Sequence, residues 1–286
     1  MTETIVQGLL LGGLYCLFAL GLSLMFGVMR LANIAQGDLI VLGGFAAIAI
    51  STTFGLNIWM TAAVLIPLAF VAGYVVQRGI LNKALDNDPL PSLVVTFGLA
   101  IVIQNGLLEL FSADPRSLNS GGLNIQSLDL AAHFAVGTLP LIIFVAAIFC
   151  TWGMQLLFDK TSLGRAFRAV SDDKEVAELM GLNAPKVFAI ATGLAFILIA
   201  LAGFFQSLRT TVSPTDGPQL LLFAFEAVII GGMGSFWGTF VGAMVLGVTQ
   251  QIGFKLDPAW GVWLGHIVFL GILLVRPTGL FPKTKD

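Results

Sequence analysis

Residues 33–38 read NIAQGD and set Asn33, Gln36 and Asp38 between two strongly apolar runs. Two amides and a carboxylate at this spacing admit two readings. In the first they form a plain turn at a membrane surface, with Asp38 in the first turn of the following helix, where the helix dipole favours negative charge. In the second they are a polar gate lining a route through the hydrocarbon. A second interruption lies in the other half of the chain. The stretch IIGGMGSFWGTFVG breaks an apolar run at Gly231, Gly232, Gly234 and Ser235. Glycine-interrupted segments in corresponding places of two halves point towards a solute site. Gly231 to Ser235 are candidates for a break in the backbone, whereas Gly238 and Gly242 read as close helix packing. Glu226, an acid in the short segment before the break, joins the candidate path, because an ionisable group inside a span is a functional-site hypothesis by default.

Bond-making chemistry is not expected. Cys16 and Cys150 fall inside apolar runs and read as small buried residues, not as a disulfide or a metal site. His133 and His266 have no second ligand at metal spacing, and no nucleophile–base pair is evident. No catalytic and no metal residue is assigned. Gln104, Asn105, Glu109, Gln206, Gln250 and Gln251 are expected to be helix-to-helix hydrogen-bonding groups.

The elements that must position these residues follow from composition. The chain has 286 residues, 57% hydrophobic and only 10% charged. That is too little polar surface to cover a soluble globule, which usually carries about 25% charged residues. Apolar runs of the length that crosses a bilayer recur along the chain. The expected fold is all-α: a polytopic transmembrane bundle of eight or nine spans, some broken or re-entrant. The spans are read at 5–29, 34–54, 58–76, 91–111, 139–158, 187–208, 220–233, 236–253 and 260–275. The first run is too long for a signal-peptide core and is read as a retained span. The second run has only sixteen residues from Leu39 to Phe54, about 24 Å of helix. To span, it must draw part of NIAQGD into the membrane edge, with Gly37 relaxing the backbone. A charge at mid-depth is costly, so Asp38 is expected near the cytoplasmic end.

Orientation follows from the cations. Arg30, Arg78, Lys83, Lys160, Arg165, Arg168, Lys174, Lys186, Arg276, Lys283 and Lys285 fall in one set of connections, and Arg116, Arg209 and Lys255 in the other. The richer set is expected in the cytoplasm. The N-terminus is then outside and the C-terminus inside. The whole chain, 1–286, reads as one membrane domain. It has a long extracytoplasmic loop over 112–138 and a cytoplasmic loop over 159–186.

The cytoplasmic loop has helical grammar. Leu163, Phe167 and Val170 recur at intervals of four and three and form an apolar face. Ser171 to Asp173 offer N-caps for a second short helix, Val176, Leu179 and Met180 give it an apolar face, and Gly181 supplies a left-handed stop. Asn183 and Pro185 start the next span. The pattern fits either an amphipathic loop resting on headgroups or a docking surface for a cytoplasmic partner.

EVAELMG, 175–181, is similar to the E-A-A-x-x-x-G signature of bacterial ABC importer permeases, with Val176 in place of the middle alanine. SLGRAFRAVSDDKEVAELMGLN, NIAQGDLIVLGGF, VIIGGMGSFWGTFVGAMVLG and RPTGLF resemble, in the same order, blocks of the branched-chain amino acid permease family of the LivH/LivM type. The resemblance implies that the 159–186 loop forms coupling helices seated on an ATPase subunit, through Leu163, Gly164, Arg165, Arg168, Glu175, Ala177 and Gly181. It implies as partners two cytoplasmic ATPase subunits, a second permease, identical or homologous, and an extracytoplasmic solute-binding protein.

The chain contains no G-x-x-x-x-G-K-[ST] phosphate loop. ATP and Mg²⁺ would therefore sit on partners, with no cofactor in this chain and no nucleic acid among its ligands. The expected protein is a translocation subunit in a bacterial plasma membrane, importing branched-chain or related amino acids, and not an enzyme. A permease for urea or short amides is the alternative within the family. An ion-coupled secondary transporter is the alternative outside it, and the scarcity of mid-span charge counts against that.

Overall fold

The computed structural model describes residues 1–85, 90–123, 126–131 and 134–281. His133, Lys283 and Lys285 lie outside the described residues. Helices occupy all nine expected span positions: α1 Thr2–Met29, α2 Gln36–Phe54, α3 Ile58–Gly79, α4 Leu90–Phe111, α5 Thr138–Lys160, α8 Ala184–Arg209, α9 Gly217–Gly231, α10 Phe236–Leu256 and α11 Trp260–Val275. Two short helices, α6 Ser162–Asp172 and α7 Lys174–Leu179, separate α5 from α8. Six of the helices are each long and apolar enough to cross a bilayer. α9 and α10 qualify as a pair bent by 117°, and α11 is a shorter apolar helix.

α1 is the axis of the bundle and lies against α10, α8, α5 and α9. α8 is its buried counterpart and carries α2 and α3 on its other sides. Close approach is made possible by small residues. A Cβ at Gly8 would meet the Val248 backbone at 2.5 Å, one at Gly12 the Met244 backbone at 2.9 Å, and one at Gly43 the Ala200 backbone at 3.0 Å. Lipid tails are as apolar as leucine, so such tight seams and interhelical hydrogen bonds hold a membrane bundle together. Two of those bonds join α1 to α10: Tyr15 OH donates to Gln250 Oε1 at 2.6 Å, and Thr239 Oγ1 to Ser23 Oγ at 3.0 Å. Cys16 lies 3.5 Å from Thr151 Oγ1, and both cysteines are free. Outward faces of α3, α4, α5 and α11 carry exposed Leu68, Val94, Phe149 and Leu270, as lipid- or subunit-facing surfaces do.

The two ends of the bundle are distinct. At one end Ser171 of α6 donates to the Gly27 carbonyl of α1, Asn82 donates to the Pro185 carbonyl, and Leu280 and Phe281 donate to the carbonyls of Ile230 and Gly231. At the other end Lys255 lies 3.9 Å from Met1 Sδ, and Arg116 pairs in a β-bridge with Val212. Asn105 and Gln206 bond within their own helices, to Ile101 and Thr210, and not across helices as the sequence predicts. The loop after α4 also holds an unexpected hairpin. β1 Ser127–Ala131 pairs antiparallel with β2 Phe134–Gly137, with Ser127 opposite Gly137.

Candidate functional site

The stretch that opens α2 is a buried and closely held polar region. Leu31, Asn33 and Ala35 are almost fully buried although their backbone is not helical. Such backbone is tolerated at membrane depth only where protein satisfies it. Here Asn33 Oδ1 accepts from Ala35 N at 3.0 Å, Gln36 N reaches the Asn33 carbonyl at 3.2 Å, and Ile34 N reaches Thr96 Oγ1 of α4 at 3.4 Å. Gln36 Nε2 then donates to the Phe18 carbonyl at 2.9 Å, near the middle of the 28-residue α1. α2 therefore begins inside the bundle and not at its face. Asp38, expected near one end, lies in the interior. The physical reason is the return loop 30–35, which re-enters the bundle before the helix starts.

Gly37 is helical, with no break in the backbone there. Its role is close approach: a Cβ would meet the Gly217 carbonyl carbon at 2.7 Å and Leu221 N at 2.8 Å. A Cβ on Gly217 would in turn collide with the Asp38 carboxylate. The N-termini of α2 and α9 thus meet at Asp38, and two positive helix ends flank one carboxylate. Asp38 is 5% exposed. Neither its Oδ1 nor Gln36 Oε1 has a hydrogen-bond partner among the described residues. A buried polar atom left unpaired costs about 1–3 kcal/mol, so a pair of them at one crossing calls for a functional explanation.

A second polar cluster joins α9, α10 and α11. Glu226 is 1% exposed, and its Oε1 lies 2.5 Å from His266 Nδ1. Tyr15 stacks on Phe223, which in turn faces the His266 ring. Glu226 Oε2 and Gln250 Nε2 have no partner among the described residues. Tyr15 and His266 were not singled out by the sequence. Each is a lone polar group in an apolar run, and only the tertiary contact reveals its partner.

Gly231, Gly232, Gly234 and Ser235 form the turn between α9 and α10. Gly232 and Gly234 have φ of 101° and 79°, which L side chains rarely adopt, and Ser235 Oγ caps α10 by accepting from Gly238 N at 3.1 Å. The backbone does break here, but Gly234 rests against Gly27, close to the C-terminal end of α1. Nine residues of α1 separate Gly27 from Phe18, about 13 Å of helix. Gln36 therefore lies well away from the turn, whereas Asn33 Nδ2 lies 3.6 Å from Met25 Sδ, two residues of α1 from Gly27. A Cβ on Gly242 would meet Gly231 N at 2.6 Å, in keeping with the packing role expected of it.

At the same end as this turn lie α6 and α7. Thr161 and Asp173 cap them by accepting from Gly164 N and Val176 N, and Asn183 caps α8 through Lys186 N. Gly164 is packed against the Phe158 backbone, and Phe167, Val170 and Ala177 are buried. Leu163, Val176, Leu179 and Met180 are exposed, the last two by 86% and 81%. Gly181 takes φ 89°, the left-handed stop that the sequence predicts. Arg165 and Glu175 are exposed. Arg168 bonds to the Phe158 carbonyl and lies 3.8 Å from Asp159, so it braces α6 against α5. A cavity of about 890 Å³ opens between α6–α7 and the loop after α1, lined by Arg30, Asp172, Asp173, Lys174, Glu175 and Glu178 among others. No cluster of metal-ligating side chains occurs among the described residues.

An all-α multi-pass bundle with buried polar groups at a helix crossing has the form of a membrane transport subunit. Comparison with known proteins gives the family. Residues 4–276 match the family described as branched-chain amino acid transport system / permease component, and the chain belongs to it as a permease component of an ABC-type transporter. It is 26% identical to the high-affinity branched-chain amino acid transport system permease protein BraD of Pseudomonas aeruginosa, over 99% of this chain and 96% of that one. It is 28% identical to the fructose import permease protein FrcC of Rhizobium meliloti, over 89% of this chain and 68% of that one. Among solved structures it is similar to PsaBC from Streptococcus pneumoniae in complex with Fab, with a TM-score of 0.51 and 15% identity over 96% of this chain and 93% of that one. That likeness concerns the fold alone.

Proposed function

We propose that this chain is the translocation subunit of a binding-protein-dependent importer for branched-chain or related amino acids, worked by ATPase subunits that grip α6 and α7. The observation that carries the reading is the exposed apolar set Leu163, Val176, Leu179 and Met180 on two capped helices outside the bundle. A solvated loop does not need such a face, and a groove on a partner would bury it. Leu163, Gly164, Arg165, Arg168, Glu175, Ala177 and Gly181 are the coupling residues of this reading. The end bearing α6 and α7 is then cytoplasmic, with the C-terminus inside and the N-terminus outside.

The translocation path passes the Asn33–Asp38 stretch and Glu226, with Gly231, Gly232, Gly234 and Ser235 as the turn that transmits movement from below. Unpaired Gln36 Oε1 and Asp38 Oδ1 would accept from a passing ammonium or from water as the crossing of α2 and α9 opens. Alternating exposure needs each state to make different contacts with the partner, which nucleotide binding on that partner supplies. A second permease completes the pore, a separate binding protein delivers solute from outside, and the lipid bilayer surrounds the whole.

Co-purification from the native membrane tests the reading. Two ATPase subunits, a second permease and a binding protein loaded with an apolar amino acid are the expected companions. A binding protein loaded with urea, a short amide or a sugar would keep the machine and replace the substrate. The buried Glu226–His266 pair favours one rival, an ion-coupled carrier. Uptake by the purified chain alone in vesicles, driven by an ion gradient without ATP, would establish that rival.

A further inference from the structure

We propose that the notch between the end of α3 and the start of α8 binds the phosphate of an anionic phospholipid headgroup. The notch is a cavity of about 430 Å³ lined by Tyr74, Arg78, Asn82, Asn183, Pro185 and Lys186. Among the described residues that line it, two are cations and none is an acid. Among the described residues neither Arg78 nor Lys186 is part of an ion pair.

The walls are fixed by bonds that leave both cations available. Asn82 Nδ2 donates to the Pro185 carbonyl at 3.2 Å, and Asn82 Oδ1 accepts from Gln77 Nε2 at 2.9 Å. Gln77 is held in turn by Thr192 of α8 at 2.6 Å. The 3-10 turn Leu81–Lys83 is thereby pinned across the start of α8. Arg78 Nη1 lies 3.5 Å from the Tyr74 hydroxyl, which sets the guanidinium at the rim. Arginine and lysine together on a small concave polar surface suit a phosphate oxyanion.

What selects a lipid over a free anion is the neighbouring face of α3. Val64, Leu68, Val71 and Val75 are all exposed, by 38%, 54%, 58% and 59%. Their spacing of four, three and four makes one stripe on the helix, and Arg78 is the next residue of that stripe. An apolar wall running the length of a leaflet and ending in a basic notch matches acyl chain and headgroup in one molecule. Basic notches between transmembrane helices are a recurrent way of holding such headgroups. The inference does not depend on ATP-driven import; it needs only the multi-pass membrane fold.

The test uses the full chain in detergent, given phosphatidylglycerol, phosphatidylcholine or inorganic phosphate. Native mass spectrometry reads bound lipid, and thermal unfolding reads stabilisation. The wild-type chain is expected to retain phosphatidylglycerol and to be stabilised by it, with little retention of phosphatidylcholine. R78Q/K186Q should weaken retention roughly tenfold or more, since it removes both cations that would meet the phosphate in the notch. K83Q, outside the notch at the same end, should leave retention unchanged. Equal retention of the two lipids by the wild-type chain would overturn the proposal, and this comparison holds even if the double variant folds poorly. Stabilisation by inorganic phosphate equal to that by phosphatidylglycerol would assign the notch to a free anion and overturn the lipid. Loss of retention in R78Q/K186Q while the ATPase subunits still co-purify separates this site from the coupling surface.

Discussion

The side-chain amide of Gln36 donates to the main-chain carbonyl of Phe18 at 2.9 Å, so the first turn of α2 is fastened to the middle of α1. A single interhelical bond in a membrane bundle is worth about 0.6 kcal/mol. Gln36→Leu loses that bond but also removes the unpaired buried Oε1, so stability should change little, while transport falls by far more because the proposed path loses its acceptor. Thermal unfolding and vesicle uptake on one preparation check this. Proportionate small losses in both would remove Gln36 from the path.

Gly203 is the tightest point between α8 and α2. A Cβ there would meet Gly44 N at 2.6 Å and press on the Ile40 carbonyl. Gly203→Val should cost about 1–3 kcal/mol by overpacking. A matched change at Gly79, which has open space around it, should cost much less. Detergent unfolding curves of the two variants give the comparison.

The exposed tip of α7 offers the cleanest separation of docking from folding. Leu179→Asp with Met180→Asp should leave membrane insertion intact and abolish co-purification of the ATPase subunits. Arg165→Glu should act in the same way, since its side chain is exposed. Arg168→Glu should instead loosen the α5–α6 elbow, because it removes the bond to the Phe158 carbonyl. Limited proteolysis of the elbow would distinguish the two arginines; identical digestion patterns would argue against the difference.

Glu226 and His266 form a buried pair whose members are better tested together than singly. Glu226→Ala should destabilise by roughly 1–3 kcal/mol, as expected for a buried partner left unpaired. Glu226→Gln should be milder, because an amide oxygen can still meet the imidazole. A double-mutant cycle with His266→Ala should give a coupling of about 0.5 kcal/mol or more. Additive effects would mean that the pair does not interact in solution.

Gly181 adopts φ 89° between α7 and α8. Gly181→Val places a β-branched side chain in a region that costs on the order of 1–3 kcal/mol. The strain should turn α7 away from the proposed docking angle, lowering both ATPase co-purification and uptake while the spans remain protease-resistant. Wild-type values for both would show that the angle is unimportant.

Much of this architecture was legible because bilayer crossing imposes length and apolarity, which a sequence displays directly. All nine helices sit where the apolar runs are, and Asp173 and Asn183 cap the helices that their positions announce. The depth of α2 was not legible. It depends on Gly37 meeting Gly217, a contact across 180 residues that no local pattern encodes. The hairpin at Ser127–Gly137 was missed because strands of five and four residues give too few alternations to stand out. Glu226 was visible as an anomalous acid. His266 was not, because a single imidazole gains meaning only from the carboxylate that faces it. The arginines of α6 read alike in sequence and differ in the structure, since only Arg168 reaches back to α5.

Leu280 and Phe281 supply the donors for the Ile230 and Gly231 carbonyls, acceptors that a helix end cannot satisfy by itself. The corner between α9 and α10 is thus finished by residues some fifty positions later in the sequence. A ribosome making this chain leaves that corner open until α10 and α11 have both followed. Loss of Leu280 and Phe281 would strike the fold at a place remote in sequence, the turn that joins α9 to α10.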